Sequence, residues 1–397
     1  MNRPPDFHNK AIILGVKIND QPLDFVLNEI ERSIGTERQL KIFTPNPEIC
    51  LKAEKDEEYR RVLNNASIST PDGFGLKLGA KILGETLENR VPGSDLTPAI
   101  LEKFNQTGIK VFIALRNDSL STPTHIQNLF KENYSKIKIK IGVLNKNNYD
   151  NCDKVLNDIN SFEPQLVFVC LGAPDQEIWI NKYLKFLYPV KVALGIGGTF
   201  DFLTGQMKRA PKVIRELGME WFYRLYKEPT RLKRIKNATA DFLLTCHKWK
   251  KRINSEYREN VVGVVTNNEG KFLVQKNPRF KNHWQFPQGG VDKDETIESA
   301  VIREVGEEAG IPENKLQIIK ALPESHIYNW PDYARLIKGY KGQKQQAYVL
   351  KFIGNNREID ISNSQEAEEI RWVDKDDLIK TIHPHRHEFL KKILKHI

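Results

Sequence analysis

At 397 residues, 40% of them hydrophobic and 9% aromatic, the chain has room for two or three separate cores and is too rich in core-forming side chains to be a disordered basic protein. Its formal net charge of +10 favours an acidic partner. Cys50, Cys152, Cys170 and Cys246 are scattered with no C-x-x-C spacing, which argues against disulfides and a zinc knuckle and for a reducing, cytoplasmic setting; no apolar run approaches the roughly 18 residues that cross a bilayer, so any membrane contact is expected to be peripheral.

From residue 11 to about 200, strand-like apolar runs alternate with amphipathic helical stretches: AIILGV, LKIFT, ASIST, KVFIAL, KIKIGV, QLVFVCL and KVALGI in chain order. Such alternation predicts an α/β domain over residues 1–202 with a mostly parallel sheet. Residues 203–258 then carry fifteen Lys and Arg against five Asp and Glu, with Trp221, Phe222, Tyr223, Phe242, Leu243, Leu244 and Trp249 among them. This stretch reads as a basic helical appendage and linker with an apolar side, suited to an anionic membrane surface. VVGVVTNNEGKFLVQK reads as a hairpin around Asn268 and Gly270 and opens a second domain, residues 259–397.

Short polar clusters punctuate the first domain. TPNPEI begins at Thr44, STPDGFG holds Asp72, NRVPGSDL holds Arg90 and Asp95, and LGAPDQE holds Gln176 and Glu177. GIGGTFDFLTG begins at Gly195, RAP at Arg209, and MEWFYRLYKEPTRLKR runs from Met219 to Arg234. Through these seven ordered clusters, over roughly residues 10 to 240, the chain resembles the WecG/TagA/CpsF family of glycosyltransferases. The resemblance implies transfer of an N-acetylmannosamine-type sugar from a UDP donor to a polyprenyl-diphosphate-linked N-acetylglucosamine at the inner face of the cell membrane. It casts Asp72 as general base with Thr44 beside it, and Asn46 and Arg90 among the groups that bind nucleotide or substrate. Chemistry suits an Asp after a strand, held between Pro71 and Gly73, because ligands bind at strand ends of α/β sheets; helix capping is the alternative for both Thr44 and Asp72. Gly195, Gly197 and Gly198 follow the strand KVAL and would let a diphosphate approach backbone N–H groups. Gln176 and Glu177 would hydrogen-bond uracil or sugar, or cap a helix. Arg224, Arg231 and Arg234 fall on one helical face and would meet the donor diphosphate, unless that face is merely solvated or contacts RNA. One departure stands out: after KVFIAL the family has a Gly-rich turn, whereas this chain has Arg116, Asn117 and Asp118.

In the second domain, residues 289–311 read GGVDKDETIESAVIREVGEEAGI. If Thr296 to Ala309 is a helix, Ile297, Ala300, Val301 and Val305 form its apolar stripe, and Glu304 and Glu308 fall within that stripe. Glu304, Glu307 and Glu308 stand at i, i+3 and i+4, so their oxygens can converge, and clustered carboxylates call for a hard divalent cation. Arg303, four residues before Glu307, can hold that side chain. The fixed positions Gly289, Glu295, Arg303, Glu304, Glu307, Glu308 and Gly310 are those of the Nudix box. With HWQFPQGG upstream, and GQKQQAYVLKF and EAEEIRWVD downstream, the domain resembles the RNA pyrophosphohydrolase and diadenosine-polyphosphate hydrolase branch of Nudix enzymes. That implies an α+β fold with helices on both faces of a sheet. It also implies Mg²⁺ or Mn²⁺ held by Glu304, Glu307, Glu308 and Glu366, with Glu308 as base. Lys276, Gln288, Lys344 and Gln346 would meet a triphosphate or 5′ nucleotides. His383, His385 and His387 offer stacking or metal binding, or are incidental.

The combined expectation is a bifunctional cytoplasmic enzyme joining sugar transfer to cleavage of 5′-triphosphorylated RNA or dinucleoside polyphosphates. Two alternatives stay open: a Nudix half that hydrolyses nucleotide sugars of the same pathway, and a first domain that serves only as a membrane or RNA tether.

Overall fold

The computed structural model describes residues 10–211, 214, 240–278, 282–362, 364 and 366–397. The chain divides into two units, Met1–Lys251 with Asp332–Gly339, and Arg252–Pro331 with Tyr340–Ile397. The assignment of residues 332–339 to the first unit has no counterpart in the sequence reading. Among the described residues, no helix is long and apolar enough to cross a membrane, and all four cysteines are free and buried.

In the first unit, AIILGV does not join the main sheet. It splits into β1 (Lys10–Ile13) and the start of β2 (Val16–Asn19), an antiparallel pair closed by Leu14 and Gly15 at φ 50° and 81°. Two successive positive φ angles make the tight turn that a two-residue hairpin needs, so the run folds back on itself. The remaining runs form a parallel sheet as expected: β3 (Leu40–Phe43), β4 (Ile68–Ser69), β5 (Lys110–Arg116), β6 (Lys138–Leu144), β7 (Leu166–Cys170) and β8 (Val192–Gly195), in the order β4-β3-β8-β7-β5-β6. β7 is buried at every residue, which is why LVFVC reads as an unbroken apolar run rather than an alternating one. Helices such as Leu23–Ile34 bury Val26 and Ile30 against this sheet.

Of the basic stretch, the helix Phe242–Ser255 is described, and Phe242, Cys246 and Trp249 are buried along it. Phe242 packs onto the helix Phe74–Leu83 at Gly79, where a Cβ would lie 2.6 Å from its ring. Only glycine admits so close an approach.

The second unit is built on a seven-stranded mixed sheet. β9 (Tyr257–Thr266) pairs in parallel with β14 (Gly342–Phe352), which pairs antiparallel with β13 (Leu316–Asn329). On the other side β10 (Phe272–Lys276) carries β11 (Trp284–Gln285) and β15 (Glu369–Val373), and β12 (Gln288–Gly290) pairs with β9. β9 and β10 are joined by the turn at Asn267–Gly270, with Gly270 at φ 78°. β9 shows the period of two: Val261 and Val265 pack with Val301 and Val305 of the helix Ile297–Ala309, and Val262 and Val264 pack with Leu378, Phe389 and Leu390 of the C-terminal helices. Helices therefore cover both faces of the sheet, as expected.

Candidate functional site

Three adjacent strands, β4, β3 and β8, deliver the polar clusters of the first unit at their carboxyl ends. Thr44 follows β3, Asp72 follows β4 and Gly195–Gly198 follow β8. Backbone bonds stitch the loops together: Thr70 N donates to Phe43 O (2.8 Å), Asp72 N to Pro45 O (2.9 Å) and Val91 N to Pro71 O (3.0 Å). Thr44 is buried, and its hydroxyl donates to Gly195 O (3.4 Å); a Cβ on Gly93 would touch that hydroxyl at 3.4 Å.

The geometry also decides which residues cap helices. Asn46 is the N-cap of the helix Pro47–Lys55, its side chain accepting from Ile49 N (2.9 Å). The helix Phe74–Leu83 starts from Gly73 at φ 104°, so the N-cap positions of these two helices belong to Asn46 and Gly73 rather than to Thr44 or Asp72. Arg90 lies 3.8 Å from the Asp95 carboxylate, which Arg209 grips at 2.7 Å while also bonding Ser94. The NRVPGSDL and RAP clusters thus meet, although Arg209 was not singled out from the sequence as a site residue.

Gln176 and Glu177 sit at the start of the helix Asp175–Tyr183, yet both are buried. Gln176 Oε1 accepts from Gly197 N (2.9 Å) and Gly172 N (3.2 Å), and its Nε2 donates to Glu177 Oε1 (2.7 Å). Glu177 Oε2 accepts from the Tyr59 hydroxyl (2.9 Å). Burial pushes Glu177 up to about 7, against the pull of its donors. Both side chains are buried and hydrogen-bonded within the fold. They brace the turn holding Gly195, Gly197 and Gly198. Asp201, missed from the sequence, works from the other side: it accepts from Ser121 N (2.9 Å) and Ser119 Oγ (3.3 Å), and a Cβ on Gly198 would lie 3.0 Å from it.

The turn at Arg116 to Asp118 is a charged cross-link. Arg116 pairs with Asp118 and donates to Leu171 O (3.4 Å), and Lys146 reaches Asp118 at 2.9 Å. The Lys146 hydrogen bond, with Arg116 alongside, lowers the Asp118 carboxyl. Arg224, Arg231 and Arg234 lie outside the described residues.

In the second unit the helix Ile297–Ala309 is launched by Thr296, whose hydroxyl accepts from Ser299 N (3.1 Å), and stopped by Gly310 at φ 66°. Ala300, Val301 and Val305 face the sheet, Glu308 is buried with them and Glu304 is half-buried. Ile297, at the first turn, is exposed instead. Glu308 Oε2 accepts from Gln275 Nε2 (2.6 Å) and Gln288 N (2.7 Å), and the Glu366 carboxyl is hydrogen-bonded to it. Burial, reinforced by the Glu366 charge, pushes Glu308 up to about 9.

Glu304, Glu307 and Glu308 do not converge here. Among the described residues, no three His, Cys, Asp or Glu side chains are grouped so as to hold a metal ion. The reason is Arg303, whose Nη1 draws Glu304 (3.0 Å) and Glu307 (3.1 Å) to its own flank while its other nitrogens hold Glu295 and Gly290 O. Two features nonetheless fit a divalent cation. Glu308 and Glu366 are paired carboxyls, and Gly289 leaves room for the Glu304 carboxylate, where a Cβ would fall 1.8 Å from Oε2.

The phosphate-facing candidates divide. Lys276 pairs with Glu368 (3.1 Å) and Lys344 with Glu259 (3.2 Å), while Gln346 donates to Leu322 O. The residue between them, Gln345, is the one that reaches Gln288, its Nε2 donating to Gln288 Oε1 (2.8 Å) and Asn260 Oδ1 (3.0 Å). Gln345 and Gln288 line a pocket with Phe286, Phe389 and Arg386. Arg258 was also missed. Its guanidinium lies against Gly290, where a Cβ would come within 2.5 Å, and it has no ion-pair partner among the described residues. His383 stacks on His283 (4.3 Å, 13°) and on His385 (5.1 Å, 24°), while His387 bonds Ile382 O (2.8 Å).

Comparison with known proteins follows the same division. Residues 11–256 match the glycosyl transferase WecG/TagA/CpsF family, and residues 256–393 match the NUDIX domain. An N-acetylglucosaminyldiphosphoundecaprenol N-acetyl-beta-D-mannosaminyltransferase of Bacillus spizizenii is 35% identical over 196 residues, covering 49% of this chain and 74% of that protein. The protein of the same name from Bacillus subtilis is 33% identical over 207 residues, covering 52% and 77%. Among solved structures, a C. elegans Ap4A hydrolase binary complex is 25% identical, covers 34% of this chain and 94% of that one, and gives a TM-score of 0.28.

Proposed function

Since the chain belongs to the glycosyl transferase WecG/TagA/CpsF family and also carries a NUDIX domain, we propose that it is a bifunctional enzyme that builds a lipid-linked sugar and separately cleaves nucleotide diphosphate linkages. The first unit transfers an N-acetylmannosamine-type sugar from UDP to a polyprenyl-diphosphate-linked N-acetylglucosamine, the reaction named for its Bacillus relatives. Asp72 takes the proton of the acceptor hydroxyl as that oxygen bonds the anomeric carbon and the bond to UDP breaks. Thr44 lies beside it, and the N–H groups of Gly195–Gly198 receive the departing diphosphate, with Arg90 near. Arg224, Arg231 and Arg234 would meet the donor diphosphate with their guanidinium groups, and the basic appendage holds the protein at an anionic membrane surface. The observation that carries this reading is that Thr44, Asp72 and the glycine turn come from three adjacent strand ends.

The second unit hydrolyses 5′-triphosphorylated RNA or dinucleoside polyphosphates. Glu304, Glu307, Glu308 and Glu366 would hold the divalent cation, Mg²⁺ or Mn²⁺, which when bound neutralises phosphate oxygens and makes a water more acidic. With the cation bound, Glu308 would be the residue placed to serve as base toward that water. Arg258 and Lys276 meet phosphate oxygens, and Gln288 with Gln345 faces the nucleotide.

A substrate panel of UDP-N-acetylmannosamine with a lipid-diphosphate acceptor, 5′-triphosphate RNA, diadenosine tetraphosphate and UDP-sugars tests both halves. Asp72→Ala is expected to silence transfer alone and Glu308→Gln hydrolysis alone. Exclusive hydrolysis of UDP-sugars would replace the RNA and dinucleotide reading, and a wild type unable to transfer sugar would leave the first unit as a tether.

A further inference from the structure

We infer that Glu177 is a positioning residue of the transferase, fixing the Gln176 amide and through it the Gly195–Gly198 turn. The inference rests on the transferase reading above, in which that turn meets the donor diphosphate. Glu177, Gln176 and Tyr59 are each no more than 3% exposed, so their mutual bonds have no competition from water. A carbonyl oxygen and an amino group differ little in shape, so packing alone does not tell a glutamine which way round to sit. Here the neighbours decide. Gly172 N and Gly197 N are both donors and require the amide oxygen, and Glu177 Oε1 is an acceptor that requires the nitrogen. The reversed amide would set two donors against its own N–H groups and an oxygen against the carboxylate.

Tyr59 fixes the other Glu177 oxygen from the helix Glu57–Asn64. Gly195 contributes by lacking a side chain, since a Cβ there would lie 2.9 Å from Gln176 Nε2. The chain of bonds runs Tyr59, Glu177, Gln176, Gly197. It links a helix remote from the strand ends to the backbone that receives the donor.

The test is titration of UDP into the full chain by calorimetry, with donor KM and kcat measured on the same preparations. Glu177→Met removes the acceptor opposite Gln176. It is expected to raise the UDP Kd and donor KM about tenfold, the effect of roughly one buried hydrogen bond, while kcat at saturation changes much less. Glu177→Gln keeps an oxygen for Gln176 Nε2 and is expected to stay within about threefold of wild type. A second pair covers misfolding of Glu177→Met. Gln176→Glu alone opposes two carboxylates and should weaken UDP about tenfold or more, whereas Gln176→Glu with Glu177→Gln restores every donor–acceptor match and should recover most of the affinity. A folded Glu177→Met that binds UDP like wild type, or a double variant no better than Gln176→Glu, overturns the positioning role. Wild type that binds no UDP overturns the transferase reading instead.

Discussion

Among the described residues each unit of this chain buries one glutamate, and the two are buried differently. Glu177 receives the neutral Tyr59 hydroxyl and Gln176 amide. Glu308 receives Gln275 and the Gln288 N–H, but it also meets a second carboxyl, Glu366. Both are raised by desolvation, to about 7 and about 9. A buried acid surrounded by neutral donors is satisfied as it stands, so its natural work is to hold geometry. An acid pressed against another acid is satisfied only by a shared proton or a cation, and that arrangement suits chemistry.

The sharpest way to break this contrast is to neutralise each acid. Glu308→Gln is expected to lower phosphate-anhydride hydrolysis on the order of 10³-fold, the usual loss of a general base, whereas Glu177→Gln retains sugar transfer within a few-fold. Comparable losses from both, in paired assays on one preparation, would erase the distinction. Asp72→Ala should reduce transfer on the order of 10²-fold or more with hydrolysis intact, measured by radiolabelled sugar incorporation into lipid. Next comes metal. At about a hundred times its Kd, Mg²⁺ or Mn²⁺ should stabilise the second unit by about 3 kcal/mol in thermal melts, and Glu366→Gln should remove most of that gain.

The pH response of Glu177 is of similar or smaller size. Its folded form keeps the proton to about pH 7, while the unfolded chain releases it near the ordinary carboxyl value of 4.5. The folded state therefore binds more protons in between, so stability declines as pH rises from about 4.5 to 7 and is level above, by about 3 kcal/mol in total. Chemical denaturation of Glu177→Gln across that range should lack this decline. The smallest effect expected is from Tyr59→Phe, about 1 kcal/mol, because Glu177 then loses one donor but keeps Gln176.

Much of this was legible in the sequence where the signal is local. The box spacing set Glu308 on the buried side of its helix, Thr296 and Gly310 mark the helix ends, and unbroken apolar runs such as LVFVC announce parallel strands. Pairing is where local reading runs out. AIILGV has the composition of a central strand, yet its Leu14–Gly15 turn lets it close on itself. The family resemblance points to Lys344 and Gln346, but β14 presents alternate residues to opposite faces, and only the register with Asn260 shows that Gln345 is the one meeting Gln288. Asn46 and Asp72 look alike as polar residues ahead of helices. The bond from Ile49 N makes the first a cap, and the positive φ at Gly73 moves the helix start past the second. Arg258 could be suspected only from its place two residues before Asn260 on a strand that borders the box glycines, a relation made by long-range pairing.

Gly79 carries a practical lesson about where the first unit ends. The helix it belongs to begins directly behind Asp72, and at Gly79 it is covered by Phe242 and Cys246 from a helix that starts 47 residues after the last strand of the parallel sheet, Val192–Gly195. A protease cut or truncation near residue 202 would strip that cover and expose the support of the acid loop. A bulky replacement of Gly79 would push the cover away without touching any polar residue. The helix Phe242–Ser255 is thus part of the transferase's own scaffold, and a fragment meant to transfer sugar should run through Ser255.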